Sequence, residues 1–217
     1  MFELDPKIIS FPDPSCYDPE NDIIAIGGDL QPNRLWLAYK LGIFPWYNPG
    51  EEILWWCPNP RFVLFPNELR ISKSMKKIMD RNQFSFSEDT CFREVMESCA
   101  AINRRDQNGT WISPELVDSF SVLQRAGKAK SIEIWQDQEL VGGLYGVLVG
   151  DVFCGESMFS NVSNASKAGF IYFVQKYINR FSLIDCQVHT EHLESLGARM
   201  IPKKDYLEIL YKNRDES

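Results

Sequence analysis

The sequence predicts a mixed α/β protein, a small loop-heavy N-terminal domain on a larger domain of helices and antiparallel strands. Two changes of pattern carry that expectation. Between residues 72 and 127 apolar residues recur at helical spacing, whereas from Ser131 they alternate, the period of a strand. The alternation then gives way to one long helical stretch and a further short apolar strand, the order of a crossover connection. Residues 1–66, by contrast, are rich in Pro, Gly and Trp. The expected domains are therefore 1–66 and 67–217.

Element by element, Pro32 suits the first turn of a short helix and Gly42 its stop. Ser72 is placed as the N-cap of a helix over 72–81, with Met75, Ile78 and Met79 on its buried side. A helix over 90–102 turns Phe92, Val95, Met96 and Cys99 inward. Ser113-Pro114-Glu115 combines a cap, a first-turn proline and an acid facing the helix dipole. The helix it opens buries Leu116, Val117, Phe120 and Leu123 and stops at Gly127. Residues 131–136 and 139–149 read as a hairpin turning at Asp137-Gln138, and Gly150-Asp151 turns the chain into a third strand, 152–158. A helix over 164–178 presents Phe170, Phe173 and Tyr177 along one side. Residues 182–188 form a strand, 190–196 a short helix ending at Gly197, and a last helix starts at Asp205.

The chain of 217 residues is 44% apolar and 13% aromatic, enough for a substantial core. No basic region followed by an apolar run opens the sequence, and no apolar run approaches the ~20 residues of a membrane span, so a soluble, cytoplasmic protein without membrane contact is expected. Six cysteines without a Cys-x-x-Cys pair argue against structural zinc and against a disulfide framework. The Asn-x-Ser/Thr matches at Asn108, Asn161 and Asn164 then carry no glycan. A net charge of −7 excludes a whole-protein attraction to nucleic acid. One local patch stands out: Arg70, Lys73, Lys76, Lys77 and Arg81 place five cations in twelve residues. On charge alone this reads as a solvated helix face.

Phe153-Cys154-Gly155-Glu156-Ser157-Met158-Phe159 and Asp185-Cys186-Gln187 set polar groups into apolar strands, where an unpaired charge is costly. Two residues apart on a strand, Asp185 and Gln187 are expected on one side and Cys186 on the other. The pair could orient and accept a hydrogen bond from a nucleophile, or satisfy loop backbone. Glu156 could hold a cationic ligand group or pair with Lys167. His189 and His192 lack a third ligand, so no metal is expected. Cys154 and Cys186 are read as small apolar residues, and Gly27-Gly28 and Gly142-Gly143 as tight backbone. Trp36 and Trp135 belong to the core. Trp46 and Trp111 sit in loop settings, able to stack on nucleobases or to fill a joint between lobes.

At this point the residues resemble the leucyl/phenylalanyl-tRNA–protein transferase family over nearly the whole chain. The matching blocks include Gly27-Gly28-Asp29-Leu30, Tyr39 with Gly42-Ile43-Phe44-Pro45-Trp46, and Leu54-Trp55-Trp56-Cys57-Pro58 with Pro60-Arg61. They continue through Gly109-Thr110-Trp111-Ile112, Leu140-Val141-Gly142-Gly143-Leu144-Tyr145-Gly146-Val147 and Gly155-Glu156-Ser157-Met158-Phe159-Ser160. Asp185-Cys186-Gln187, His192-Leu193 and Ser195-Leu196-Gly197-Ala198 close the series. One block could be chance; so many in a fixed order are specific.

The resemblance implies an enzyme that moves Leu or Phe from aminoacyl-tRNA to proteins beginning with Arg or Lys, marking them for N-degron proteolysis. It also implies a GNAT-like acyltransferase fold for the larger domain, a monomer, and no cofactor, since the ester is already activated. Trp46 and Trp111 match the aromatics holding the terminal adenosine. Leu144, Phe153, Met158, Phe170 and Phe173, with Tyr177 at the margin, match the donor side-chain pocket, and Glu156 the acceptor site. Arg70, Lys73, Lys76, Lys77 and Arg81 match a tRNA-backbone surface, which reverses the reading from charge alone. Gln187, supported by Asp185, matches the group said to take the amine proton. A carboxamide is a very weak base, so the reading here is that Gln187 orients the amine while the proton passes to Asp185, water or the leaving ribose.

Four positions depart from the family pattern: Lys130 for histidine, Cys57 for serine, Gly169-Phe170 for Ala-Leu, and Lys203-Lys204 for arginines. Phe170 puts the Leu:Phe preference in question. Two rivals remain. A CoA-dependent acetyltransferase finds a fragment of its phosphate loop in Gln124-Arg125-Ala126-Gly127-Lys128-Ala129, but that fragment follows a helix and precedes a strand. A non-catalytic tRNA- or peptide-binding protein is opposed by the joint presence of Asp185, Gln187 and Glu156.

Overall fold

The computed structural model describes residues 1–13, 16–18, 20–102 and 110–213. Asn108 and Gly109 lie outside the described residues. Two sheets organise the chain. The first contains β1 (Phe2–Leu4), β2 (Ile23–Gly27), β3 (Phe44–Pro45) and β4 (Leu54–Trp56) in the order β1-β2-β4-β3, with α1 (Pro32–Lys40) between β2 and β3. Strands this short, broken by Pro and Gly, carry too little alternation to be legible. This is why the region reads as loop-heavy in sequence, and the sheet corrects that reading.

The second sheet holds β5 (Arg61–Leu64), β6 (Ser85–Glu88), β7 (Ala129–Gln136), β8 (Glu139–Val149), β9 (Val152–Ser160), β10 (Leu183–Gln187) and β11 (Arg199–Ile201). Their order is β11-β5-β10-β9-β8-β7-β6. The change of sheet falls between Trp56 and Arg61, ahead of the boundary expected at residue 66. Neighbours run antiparallel except β9 and β10, which are parallel and joined by the crossover helix α5 (Ala165–Lys176). The class is mixed α/β, as expected.

The remaining helices are α2 (Lys73–Asp80), α3 (Phe92–Ala101), α4 (Pro114–Arg125), α6 (Glu191–Glu194) and α7 (Lys203–Asn213). Ser72 and Ser113 cap α2 and α4 by accepting from the N–H groups of Met75 and Leu116. Asp137 and Gln138 both take positive φ, 50° and 67°, as a tight two-residue hairpin needs. Gly127, at φ 71°, ends α4 two residues before β7 begins, so the CoA-loop fragment has the geometry of a helix stop. The final helix starts at Lys203 rather than Asp205.

The pleat of the second sheet sorts its side chains into two cores. Tyr145, Val147 and Val149 of β8 join Phe92, Phe120, Trp55 and Leu35, so the core on this side is shared with the first sheet and α1. Leu144 joins Phe153, Phe170 and Phe173 on the side covered by α5. At Gly146 a Cβ would come within 2.3 Å of the Cys154 carbonyl and 2.5 Å of the Phe153 ring, so only glycine lets β9 approach there.

Candidate active site

Two bulges open the second sheet. In the β8–β9 ladder Tyr145 pairs with Ser157 and Gly146 with Gly155, leaving Glu156 without a partner. In the β5–β10 ladder Asp185 pairs with Val63 and Gln187 with Phe62, leaving Cys186 as the extra residue. Pairing of β9 with β10 ends at Asp185 and Cys154, immediately before both bulges. Such irregularities re-aim side chains. Phe153 and Met158, an odd number of residues apart, both face the α5 side because Glu156 is inserted between them.

Across the opening, Gln187 Nε2 donates to Glu156 Oε1 at 2.6 Å. Gln187 has φ 63°, a left-handed conformation that is strained for a residue other than glycine. Simple strand alternation therefore does not relate Asp185 to Gln187, and that expectation is corrected. They are joined instead through the Gln187 N–H, which donates to Asp185 Oδ1 at 2.9 Å. Asp185 also accepts Arg61 Nε on Oδ1 at 2.8 Å, Arg61 Nη2 on Oδ2 at 2.7 Å, and the Tyr206 hydroxyl on Oδ2 at 2.9 Å. Arg61 itself lies between the rings of Phe44 and Tyr206. With both oxygens committed, Asp185 is a buried anchor for the Gln187 backbone. The expected proton route through it is closed.

The opening leads into a cavity of about 400 Å³. Leu144, Phe153, Met158, Phe170, Ile184 and Leu193 are among its apolar lining, and Glu156, Ser157, Ser166, Asp185, Gln187 and His192 among its polar groups. Phe173 and Tyr177 are not among the lining residues. Phe173 backs Phe153, with ring centroids 4.4 Å apart, and Tyr177 donates its hydroxyl to Glu88 at 2.6 Å. They brace the wall rather than form it, which corrects the expected pocket.

Glu156 does not pair with Lys167, whose Nζ donates instead to Ser195 Oγ at 3.3 Å. Its Oε2 is sealed from solvent. Burial pushes the Glu156 carboxyl up to about 8, against the opposing pull of the Tyr39 hydroxyl and the Gln187 amide. Burial likewise pushes the thiols of Cys154 and Cys186 up, away from nucleophilic use. The two histidines diverge: His189 meets Glu194 at 3.1 Å and the Phe62 ring, while His192 lines the cavity.

Trp46 and Trp111 lie outside the cavity lining. Trp46 is half-buried against Trp56, ring centroids 5.6 Å apart, and its carbonyl accepts from Trp56 Nε1. Trp111 is buried in the core shared by the two sheets. Arg70, Lys73, Lys76, Lys77 and Arg81 are all exposed, and none makes an ion pair among the described residues. No helix among the described residues is long and apolar enough to cross a membrane.

The sequence assigned no role to Tyr39, Arg61 or Tyr206: Arg61 and Tyr206 hold Asp185, and the Tyr39 hydroxyl favours the ionised form of Glu156. Arg61 is 124 residues from Asp185, and no local pattern could tie them together. A buried Asp in an apolar strand does call for a cationic partner somewhere, the one signal available.

These features define a two-sheet α/β protein whose split sheet offers an apolar acyl-sized cavity with a carboxyl–carboxamide pair on its wall. The arrangement suits a transferase that holds two substrates side by side. The leucyl/phenylalanyl-tRNA protein transferase family model matches residues 63–211, and the model of that family's N-terminal domain matches residues 28–59. The chain belongs to the leucyl/phenylalanyl-tRNA–protein transferase family. A relative of that name in Flavobacterium johnsoniae is 54% identical over 206 residues, covering 94% of this chain and 96% of its own. Relatives in Syntrophus aciditrophicus and Pectobacterium carotovorum subsp. carotovorum are 50% and 48% identical, covering 95% and 99% of this chain and 87% and 92% of theirs. A GCN5-related N-acetyltransferase from Kribbella flavida covers 75% of this chain and 57% of its own, with 12% identity and a TM-score of 0.40.

Proposed function

We propose that this protein transfers Leu or Phe from aminoacyl-tRNA to the α-amine of proteins beginning with Arg or Lys, marking them for proteolysis. The observation that carries this reading is the apolar cavity with the Glu156–Gln187 pair on its wall, in a chain of this family. The donor side chain rests against Leu144, Phe153, Met158 and Phe170, and desolvation cost excludes donors with charged side chains. The half-buried Trp46 meets the terminal adenosine, and the cations of α2 meet the tRNA backbone; Trp111, buried in the shared core, is not open to stack on the base. The enzyme acts as a monomer in the cytoplasm, where aminoacyl-tRNA is found.

The chemistry is an acyl transfer. The neutral amine of the acceptor attacks the ester carbonyl carbon; the C–N bond forms, the bond to the ribose oxygen breaks, and that oxygen leaves with a proton. No cofactor is needed. With Nε2 committed to Glu156, Gln187 offers its carbonyl oxygen to the attacking amine and orients it. Asp185 is saturated, so the proton reaches the leaving ribose oxygen directly or through water. Juxtaposition of the two substrates supplies most of the acceleration. Glu156 is mostly protonated in the empty site at neutral pH and ionises as the cationic N-terminal residue arrives.

The deciding experiment follows radiolabelled Leu or Phe from charged tRNA to Arg-, Lys- and Met-initiated proteins, with Gln187→Ala in parallel. Label is expected on the first two proteins alone, with the variant slower by on the order of 10²-fold. Retained tRNA binding without transfer would establish the non-catalytic rival.

A further inference from the structure

Lys167 is a half-buried cation beside the cavity, next in sequence to Ser166 and close to His192, both of which line it. Its Nζ donates to the neutral hydroxyl of Ser195, and among the described residues it makes no ion pair. Lys130, Lys176 and Arg61, by contrast, each meet a carboxylate at 2.6–3.0 Å. Withdrawing an ammonium from water without a counter-charge is unfavourable, and the imbalance is relieved when an anion binds. A second group nearby is also left open: His192 Nε2 is buried and has no hydrogen-bond partner.

The turn that Lys167 touches leads to the basic helix. Ser195 is followed by Leu196, whose carbonyl accepts the Arg70 N–H at 2.8 Å. The Arg70 side chain lies against Gly197. Arg70 precedes α2, which exposes Lys73, Lys76 and Lys77, with Arg81 at its end. On a chain of net charge −7 this row, from the cavity mouth to α2, is where a polyanion is attracted rather than repelled. Charges of the other sign nearby are Glu194, which pairs with His189, the exposed Glu191, and Glu68 beside Arg70, which pairs with Arg199.

Resting on the transfer reading above, we infer that Lys167 binds a phosphodiester of the tRNA acceptor end, joining the aminoacyl group in the cavity to the backbone held along α2. His192 Nε2 is available to the same strand or to its bound water. The contact carries no covalent step. It positions the donor.

The test compares wild type, Lys167→Ala and Lys167→Arg with two donors, intact aminoacyl-tRNA and a phosphate-free aminoacyl-adenosine. For Lys167→Ala, KM for aminoacyl-tRNA is expected to rise about five- to tenfold at near wild-type kcat. The slope of log binding constant against log salt should shrink by about 0.7, one single-strand phosphate contact. Lys167→Arg should restore both, and transfer from aminoacyl-adenosine should be unaffected. Equal losses with both donors, or a raised KM for the protein acceptor, would assign Lys167 to the peptide and overturn the inference. An unchanged salt slope would do the same. Because the slope is read from tRNA binding alone, it decides the role of Lys167 even if wild type transfers from neither donor, the outcome that removes the transfer reading itself.

Discussion

Glu156 is held where burial and ligand binding pull in opposite directions. Burial pushes its carboxyl up to about 8 in the folded chain, from 4.5 for the free group. Below pH 4.5 both states are protonated and nothing is lost. As pH rises the unfolded chain ionises first, so folded stability declines until the pH passes about 8. Glu156→Gln removes that decline. Its melting temperature should match wild type near pH 5 and exceed it increasingly toward pH 8, by at least about 1 kcal/mol, or about 2–4 °C for a chain of this size. Parallel melting curves from pH 5 to 9 would mean an ordinary carboxyl. Gln187, Asp185 and Glu156 were all legible as candidates, because polar groups in apolar strands are conspicuous. Their roles were not legible, since Asp185 is spent on Arg61, Tyr206 and the Gln187 backbone.

At the scale of elements, the site depends on two bulges and on one close approach. Glu156 and Cys186 are the inserted residues, and the β9–β10 pairing stops just before them. Gly146, opposite Gly155, lets β9 lie close enough for the first bulge to form. Gly146→Ala should lower the unfolding free energy by about 1–3 kcal/mol, read as a lower urea midpoint at unchanged m-value, because the added carbon meets backbone rather than a movable side-chain end. A neutral result would show that β9 can shift without loss. The capped helices and the hairpin were readable, each being specified within a few residues by Ser72, Ser113 or Asp137-Gln138. The two- to five-residue strands of the first sheet were not, nor was the bulge at Cys186, after which Gln187 takes a left-handed φ with its N–H on Asp185.

Across the whole molecule, the two sheets share a core. Trp55 and Leu35 pack in the same cluster as Phe120, Tyr145 and Val147. Tyr39 spans that boundary, its ring edge-on to Phe120 at 6.1 Å and its hydroxyl directed to Glu156. Arg61, at the junction of the sheets, anchors Asp185. The chain is therefore expected to unfold in a single transition, with tryptophan fluorescence and far-UV circular dichroism coincident in urea. Separate transitions would mean that the N-terminal sheet folds on its own and that Tyr39 is an optional visitor to the site.

By itself the sequence determined the helices with their caps, the hairpin, the mixed α/β class, the basic run of α2 and the residue types of the site. All of these rest on interactions within a few residues, or on composition. Tertiary structure alone decided that β5 joins the larger sheet, that Phe173 and Tyr177 stand behind the cavity wall, and that Glu156 faces Gln187 rather than Lys167. Those outcomes depend on contacts between segments far apart in the chain, whose closure entropy is repaid only when the whole core forms.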